Sequence, residues 1–350
     1  MKKTIYLTIY EKIRSKIVDG TYAYQTFIPS KRTTSQDYHV SLISVEHAYD
    51  LLQEEGYINA VQRKGYIVIY REKDFFPVGL EKPDQQKQAV LENKEIFSYS
   101  AYAKTMRKVI ADRGKDIMIC RENQGLYEFR KAIARYLARC RNIYVEADQI
   151  VITAGAEAAY SLIVMLLGRS RIYGIETPSY ESIAKIYKSE GVRLDHLKMG
   201  RKGILSRELE RTPASVLHVT PFTSYPTGVT ADAGKRQEYI SWAKKTNAFI
   251  VEDDYASEYS PSTKIEETLF SMEPERSVIY MNSFSKTICP ATRISYIVLP
   301  ARMKDRMLKL ISSRACGVSA FDQFVTAELM NNGSFERHLN RVKRQMRRQK

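Results

Sequence analysis

The sequence predicts two folded units in tandem: a small α+β unit of three helices and a hairpin, then a larger α/β domain with a mainly parallel sheet. The 350 residues are too many for one small core and suit two or three domains. Residues 1–71 show a helical repeat followed by hairpin signals, whereas short apolar strands alternate with helices over residues 96–350. The polar, glutamine-rich residues 72–95 predict a linker between the two units.

The small unit is predicted from its apolar spacing and its turns. Its first helix carries isoleucine at every fourth position: Ile5, Ile9, Ile13 and Ile17. Ser30 and Ser41 are suited to cap a second and a third helix, because their hydroxyls accept a bond from a free backbone N–H. Two short strands, 57–61 and 66–70, are joined by the basic turn 62–65. Three helices and a hairpin in this order are typical of a winged helix-turn-helix.

Several residues of this unit follow a recognisable spacing: Pro29, Ser30, Arg32, Val40, Ser41, Ser44, Val45, Glu55-Gly56, Gly65 and Val68. In this order they resemble a GntR-type winged helix. The resemblance implies that the third helix enters the major groove of double-stranded DNA while the hairpin wing approaches the phosphate backbone. The residues assigned to DNA are Lys31, Arg32, Ser41, Ser44, Lys64 and Gly65.

The distribution of charge limits the expected DNA contacts. The chain carries a net charge of +15, but residues 1–74 hold 11 Lys/Arg against 9 Asp/Glu, and residues 335–350 hold 7 against 1. Leu42 and Glu46 stand where GntR-type recognition helices commonly carry basic residues. We therefore expect few phosphate contacts per unit, supplied mostly by Lys31, Arg32, Arg63 and Lys64. The basic tail is typical of a solvated helix face.

Composition argues against several classes of protein. No apolar run approaches the roughly 20 residues that a membrane span needs, and charged residues interrupt any signal-peptide core near the start. The four cysteines stand far apart and away from the histidines, so neither a metal site nor a disulfide framework is expected. The sequence indicates a cytoplasmic protein.

The larger domain is predicted to alternate strands and helices. Six apolar segments predict strands, at residues 150–152, 172–175, 215–219, 248–251, 278–280 and 295–299. Five segments predict helices, at residues 125–139, 156–167, 180–190, 235–246 and 303–312. Open α/β sheets bind ligands outside the carboxyl ends of their strands, so polar residues at these ends are candidates for a site.

Residues 283–286 (Ser-Phe-Ser-Lys) carry the most chemical information and directly follow a predicted strand. A lysine amine forms a Schiff base with an aldehyde, while hydroxyls and the guanidinium of Arg293 would hold a phosphate. Asp253 ends another strand, where a carboxylate can pair with a pyridinium nitrogen. Ala156 and Glu157 open a helix whose free N–H groups favour an anion. Together these strand ends predict a site for a phosphorylated aldehyde cofactor.

The strand ends and the order of the two units resemble the MocR-type regulators, in which a GntR-type winged helix is fused to a fold-type I pyridoxal-phosphate aminotransferase domain. The resemblance implies a three-layer α/β fold like that of aspartate aminotransferase, pyridoxal 5'-phosphate as cofactor, and a homodimer. It also implies roles residue by residue: Lys286 as the Schiff-base lysine, Asp253 facing the pyridine nitrogen, Tyr255 near the ring hydroxyl, Tyr180 stacking on the ring, and Ser283, Ser285, Arg293, Ala156 and Glu157 around the phosphate.

The chain departs from the family pattern in three respects. Thr223-Ser224 stands where the family often has His-Gln. Glu157, if ionised, would repel a phosphate dianion unless it turned away. The chain also ends within a helix that in complete members leads to a small domain with an arginine for a substrate carboxylate. We therefore expect the aminotransferase-like domain to be short at its carboxyl end.

The expected function is that of a transcription regulator. Double-stranded DNA would bind the winged helix, and pyridoxal phosphate, or its adduct with an amine or amino acid, would act as effector. Such a site needs no catalytic turnover, only different ligand affinity in two arrangements of the protein. One alternative is a pyridoxal-phosphate-dependent aminotransferase with a vestigial DNA-binding head, and another is a fragment that holds no cofactor.

Overall fold

The computed structural model describes residues 5–62, 64–70, 97–119, 122–259 and 266–348. The chain forms two compact units, Met1–Leu91 and Glu92–Lys350, and each has its own hydrophobic core. The predicted linker 72–95 and the predicted DNA contact Arg63 lie outside the described residues.

The first unit is the predicted winged helix-turn-helix. Its elements are α1 (Ile5–Val18), α2 (Lys31–Asp37), α3 (Leu42–Glu54), β1 (Ile58–Val61) and β2 (Gly65–Val68). The caps lie where they were expected: the Ser30 hydroxyl accepts from the N–H of Thr33, and the Ser41 hydroxyl from the N–H of Ser44. The two strands pair antiparallel as a hairpin.

The core of this unit corrects two details of the prediction. Ile9, Ile13 and Ile17 are buried, but Ile5 is 59% exposed. A strict four-residue repeat drifts by about 40° at each step around a helix of 3.6 residues per turn. Ile5, in the first turn, therefore no longer faces the core. The second strand ends at Val68 rather than at residue 70, and Ile69 beyond it is exposed.

The second unit contains all six predicted strands and all five predicted helices. Its elements are α4 (Tyr99–Arg113), α5 (Tyr127–Arg141), β3 (Ile150–Thr153), α6 (Ala156–Leu167), β4 (Ile172–Thr177), α7 (Glu181–Ser189), β5 (Arg193–Gly200), β6 (Gly203–Ile204), α8 (Ser206–Arg211), β7 (Val216–Val219), α9 (Ala233–Thr246), β8 (Phe249–Asp253), α10 (Leu269–Met272), β9 (Val278–Ser283), β10 (Ser295–Val298), α11 (Lys304–Ile311), α12 (Ala320–Asn331) and α13 (Ser334–Arg348).

Eight strands form one sheet in the order β3-β10-β9-β8-β7-β4-β5-β6. Strands β9, β8, β7, β4 and β5 run parallel, whereas β10 is antiparallel to both β3 and β9, and β6 is antiparallel to β5. Because β10 runs back beside β9, the connection 284–294 between them stays at the edge where the parallel strands end. The start of α6 reaches the same edge, since β3 ends opposite the first residue of β10.

The sheet is covered by helices on both faces. Ile250 of β8 belongs to a core that includes residues of α5 and α9, whereas the next residue, Val251, belongs to a core that includes residues of α6, α7 and α11. Successive side chains of a strand point to opposite faces, so the two cores lie on opposite sides of the sheet. The predicted three-layer α/β architecture is confirmed.

Candidate functional site

A cavity of about 300 Å³ is formed by residues that follow several of the parallel strands. All nine residues assigned to the cofactor line it: Ala156, Glu157, Tyr180, Asp253, Tyr255, Ser283, Ser285, Lys286 and Arg293. Four further residues complete the lining: Tyr160, Ile183, Thr220 and Tyr225. The fold therefore brings segments that are far apart in the sequence into one concave site at the ligand-binding edge of the sheet.

One wall of the cavity is built around Asp253, the buried last residue of β8. The Tyr160 hydroxyl donates to its Oδ2 atom (2.6 Å), and His218 Nε2 lies 3.5 Å from the same oxygen. The Tyr187 hydroxyl lies 2.7 Å from His218 Nδ1 and extends the network. Burial is the main cause that raises the pKa of Tyr160 well above its usual value, so this hydroxyl keeps its proton. The carboxylate is thus held by a neutral donor and is suited to pair with a protonated ring nitrogen.

The neighbouring Asp254 has a different environment. Its Oδ2 atom accepts from the Tyr280 hydroxyl (2.8 Å) and lies 3.2 Å from Arg141 Nη2, and both charged side chains of this pair are buried. Glu258 lies 3.9 Å from the same arginine nitrogen. Asp254 does not line the cavity within the described chain. Of the two adjacent aspartates, Asp253 is therefore the one placed for a ligand.

Lys286 reaches the cavity from the connection between β9 and β10. Its ammonium nitrogen lies 5.1 Å from the centre of the Tyr255 ring. The Tyr255 hydroxyl donates to the carbonyl of Thr223 (2.8 Å), and burial is the main cause that raises the pKa of this tyrosine. An amine and an aromatic hydroxyl from two different strand ends thus face the same space.

The far end of the cavity contains an ion pair between Arg293 and Glu157, with 2.5 Å between Nη2 and Oε2 and 54% of each side chain exposed. A Cβ atom on Gly155 would lie 2.9 Å from Arg293 Nη2. A glycine at this position, where φ is +85°, therefore lets the guanidinium lie against the start of α6. Glu157 does not turn away from this end of the cavity. It holds the arginine that was assigned to the phosphate.

The four additional lining residues differ in how readily the sequence predicts their place in the site. Tyr160 looks like one more apolar residue of α6, and only the fold shows that its hydroxyl reaches Asp253. Thr220 and Tyr225 follow β7, so the strand-end rule that selected Asp253 also selects their segment. The Tyr225 and Tyr180 rings stand nearly perpendicular, with 6.2 Å between centroids.

A buried carboxylate lies behind this lining. Glu176 on β4 accepts from the N–H of Thr220 (3.2 Å) and from the Ser224 hydroxyl (2.7 Å). Burial raises the pKa of Glu176 to about 7. Within the described residues no cation forms an ion pair with it, so its charge state depends on pH near neutrality.

In the first unit, Arg32, Ser41, Lys64 and Gly65 are exposed, and Lys31 and Ser44 are half-buried. Lys31 Nζ lies 3.0 Å from a Glu46 oxygen and 3.8 Å from an Asp50 oxygen, so two acids of α3 neutralise it. Leu42 and Ile43, at the start of α3, are 45% and 65% exposed. The third helix therefore presents apolar and acidic side chains where basic ones are common in the family.

Two absences concern the described part of the chain. No group of three or more His, Cys, Asp or Glu side chains in that part is arranged to hold a metal ion. No helix there is both long and apolar enough to cross a membrane.

Two family descriptions match the chain. The family "Aminotransferase class I and II" matches residues 86–350, and the family "Bacterial regulatory proteins, gntR family" matches residues 5–68. Together they cover all the described residues except 69 and 70.

Similar curated proteins are regulators. The uncharacterized HTH-type transcriptional regulator YdeL of Bacillus subtilis is 26% identical over an alignment of 352 positions, which covers 97% of this chain and 76% of the relative. The probable rhizopine catabolism regulatory protein MocR of Rhizobium meliloti is also 26% identical, over 96% of this chain and 73% of the relative. The HTH-type pyridoxine biosynthesis transcriptional regulator PdxR of Corynebacterium glutamicum is 26% identical, with coverages of 95% and 74%.

Similar solved structures are aminotransferases. A kynurenine aminotransferase of Pyrococcus horikoshii superposes with a TM-score of 0.66 at 19% identity, over 79% of this chain and 73% of that chain. An archaeal alanine:glyoxylate aminotransferase gives a TM-score of 0.65 at 20% identity. This chain covers 63% of the latter, less than two thirds of its length. At these identities the likeness establishes the fold of the second unit.

Proposed function

The chain belongs to the aminotransferase class I and II family, carries a GntR-family unit at its amino terminus and is a regulator of the MocR type; we propose that it binds double-stranded DNA through the first unit and pyridoxal phosphate through the second. The observation that carries the cofactor assignment is that all nine assigned residues line one cavity of about 300 Å³. In this proposal the cofactor, or its adduct with an amine or amino acid, is the effector, and the protein acts as a cytoplasmic homodimer.

The residues of the cavity fit this cofactor. Lys286 would hold its aldehyde carbon, Asp253 its ring nitrogen, and Arg293 its phosphate, with Ser283 and Ser285 nearby. The close approach of the guanidinium to Gly155 supports an anion site at the start of α6, because a side chain there would block it. When bound, the cofactor supplies an electrophilic carbonyl and, with a protonated ring, an electron sink.

The protein side of the site is held in place before any ligand binds. The Tyr160 hydroxyl holds one carboxylate oxygen of Asp253, and the hydrogen bond from Tyr255 to Thr223 holds the Tyr255 side chain. Side chains already held in position lose little conformational entropy on binding. A regulator needs no more than this, provided that the ligand has different affinity for two arrangements of the protein.

DNA binding is proposed for residues of the first unit that include the exposed Arg32, Ser41 and Lys64. Arg32 and Lys64 would contact phosphates, which carry no sequence information, whereas Ser41 and Ser44 at the start of α3 are placed for contacts that depend on sequence. Because Lys31 is neutralised by Glu46 and Asp50, we expect Arg32 and Lys64 to contribute most among the described residues.

The test of cofactor binding is a titration of the purified protein with pyridoxal phosphate, followed by visible absorbance. The wild type should gain absorbance, and borohydride should then fix the label on the peptide that contains Lys286. Lys286→Ala should abolish both signals, whereas Lys304→Ala on α11 should leave them unchanged. Label on Lys304, or no absorbance at any cofactor concentration, would contradict the assignment. Steady turnover of an amino acid with a 2-oxo acid would favour the aminotransferase alternative.

The test of the DNA assignment compares two changes at opposite ends of the chain. Arg32→Ala combined with Lys64→Ala should weaken binding to any duplex. Because Val342 of the tail helix is buried in the core, the tail is neutralised instead of deleted, and Arg341→Gln, Arg344→Gln and Arg347→Gln together should alter only nonspecific binding. Loss of all DNA affinity in this triple variant, with no effect of the double substitution, would assign DNA binding to the basic tail instead. Comparing affinities with and without pyridoxal phosphate and an amine then tests the effector role.

A further inference from the structure

The predicted phosphate-binding arginine already has an anionic partner. Among the described residues that line the cavity, Arg293 is the one arginine and Lys286 the one lysine. The Glu157 carboxylate lies 2.5 Å from Arg293 Nη2 and also lines the cavity. A phosphate that binds this guanidinium therefore meets a carboxylate in the same place.

The guanidinium of Arg293 lies against the start of α6. Arg293 has a left-handed backbone conformation, with φ of +44°, and its guanidinium approaches Gly155 so closely that a Cβ there would lie 2.9 Å away. Glu157 is the second residue of α6, directly beyond that glycine. Since the guanidinium lies against Gly155 and Glu157 belongs to the first turn of α6, the pair occupies the end of the helix where free N–H groups would favour a ligand anion.

A ligand can displace Glu157 from Arg293 because this ion pair is accessible to solvent. Each side chain is 54% exposed, and an exposed ion pair contributes little net stability. A phosphate dianion carries more charge than the carboxylate and forms several charge-assisted hydrogen bonds with a guanidinium. A ligand phosphate can therefore take over Arg293, but only by breaking its pair with Glu157, whose carboxylate belongs to the first turn of the same α6 that the phosphate would approach.

We propose that Glu157 acts as an internal competitor for the ligand phosphate and thereby sets the affinity of the cavity for pyridoxal phosphate. The inference rests on the proposed function and adds a regulatory property to the same site. With the competitor present, occupancy follows the free concentration of the ligand instead of being permanent. This is the behaviour that a sensor requires and that an enzyme with a resident cofactor does not.

The decisive variant is Glu157→Gln, which keeps the size of the side chain and removes its charge. We expect it to tighten the binding of pyridoxal phosphate by about tenfold or more, since like charges in contact weaken binding by that order. Pyridoxal, which lacks the phosphate, should bind both proteins equally. Glu181→Gln is the matched control, because Glu181 opens the next helix, pairs with Lys185 and does not line the cavity.

Inorganic phosphate tests the exchange without relying on the aldehyde. Its stabilisation of the protein against heat should be larger in Glu157→Gln than in the wild type. Equal affinity of both proteins for pyridoxal phosphate, or equal tightening for pyridoxal, would overturn the inference while leaving the proposed function intact. If neither protein binds pyridoxal phosphate but inorganic phosphate stabilises Glu157→Gln more than the wild type, the proposed function is overturned. The role of Glu157 as a competitor for phosphate then stands.

Discussion

The two units face their proposed anionic ligands with the same arrangement, a cation already paired with a glutamate. In the winged helix, Lys31 pairs with Glu46 of the recognition helix. In the cavity, Arg293 pairs with Glu157. In both places the acid stands where the family commonly carries a basic or neutral residue. In the proposed function, the shared arrangement predicts weak, reversible anion binding in both units.

The two pairs differ in what else is available to the ligand. Lys31 is only 22% exposed and is also held by Asp50, but Arg32 and Lys64 are exposed on the same unit. Within the described residues, Arg293 is the one guanidinium of the cavity. In the proposed function, DNA affinity would therefore be spread over several cations, whereas phosphate affinity in the cavity would depend on a single arginine. Equivalent substitutions should have unequal effects.

The largest expected effect is that of Arg293→Ala. Hydrogen bonds to charged groups contribute about 1.5–3 kcal/mol, so removing this guanidinium should weaken pyridoxal phosphate binding by roughly tenfold to hundredfold. Arg302→Ala is the control, because Arg302 packs over Phe249 and does not line the cavity. An absorbance titration measures both variants. A loss of less than threefold would show that phosphate affinity in the cavity is also distributed.

Substitutions of the two adjacent aspartates at the opposite end of the cavity separate a ligand contact from a structural ion pair. Asp253→Asn should weaken ligand binding by about tenfold and shift the visible band, because an amide cannot stabilise a pyridinium charge. Asp254→Asn should leave the band unchanged but destabilise the fold by about 3 kcal/mol, since Arg141 would lose a buried partner. Absorbance spectra and urea unfolding separate the two effects. A spectral change in Asp254→Asn alone would mean that the wrong aspartate has been assigned.

In the winged helix, the substitution equivalent to Glu157→Gln in the cavity is Glu46→Gln. Releasing Lys31 from its closer acid should raise DNA affinity by about threefold. It should also make the log–log dependence on salt steeper by up to about one unit per winged helix, because one more phosphate would be neutralised. The gain is smaller than for Glu157→Gln because Asp50 remains near Lys31. Unchanged affinity and slope would indicate that Lys31 does not face the DNA.

The remaining expected effect is on stability instead of ligand affinity, and it concerns Glu176, a carboxylate that no described cation pairs with. Since burial raises the pKa of Glu176 to about 7, the folded state binds more protons than the unfolded state between about pH 4.5 and 7. The free energy of unfolding should therefore fall as pH rises through this range, by at most about 1.4 kcal/mol per pH unit for this group. Glu176→Gln should flatten that slope in urea unfolding at several pH values. An unchanged slope would assign the pH dependence to other buried acids.

Much of the fold could be predicted because its signals are local. The serine caps of α2 and α3 and the apolar strands of the sheet each depend on a few neighbouring residues, and the structure contains them. Strand β5, which lies beside the two-residue edge strand β6, was missed because half of the residues in Arg193–Gly200 are polar or charged and only Leu197 is buried. The basic α4 was missed for a similar reason, as only Thr105 and Val109 of its fifteen residues are buried.

The site was predictable as a set of residues but not as a set of contacts. Strand ends and family resemblance selected the nine lining residues, since the carboxyl ends of parallel strands meet at one edge. The hydrogen bond from Tyr160 to Asp253 joins residues 93 positions apart, and the Glu157–Arg293 pair joins residues 136 apart. Such contacts depend on how α6 packs against the sheet, which no local pattern encodes.

The connection 284–294 gives the cavity a form of selectivity that individual contacts do not. Lys286 and Arg293 both lie on it, and its base is closed by the N–H of Phe284 donating to the carbonyl of Ile294 (2.8 Å). A ligand that is covalently tethered at the lysine presents its phosphate to the arginine at an effective concentration in the millimolar range or above, roughly as for short linkers. Free phosphate must compete with Glu157 at its bulk concentration. In the proposed function, this one short loop would make the binding bivalent, so that a molecule carrying both an aldehyde and a phosphate would bind more tightly than one carrying either group alone.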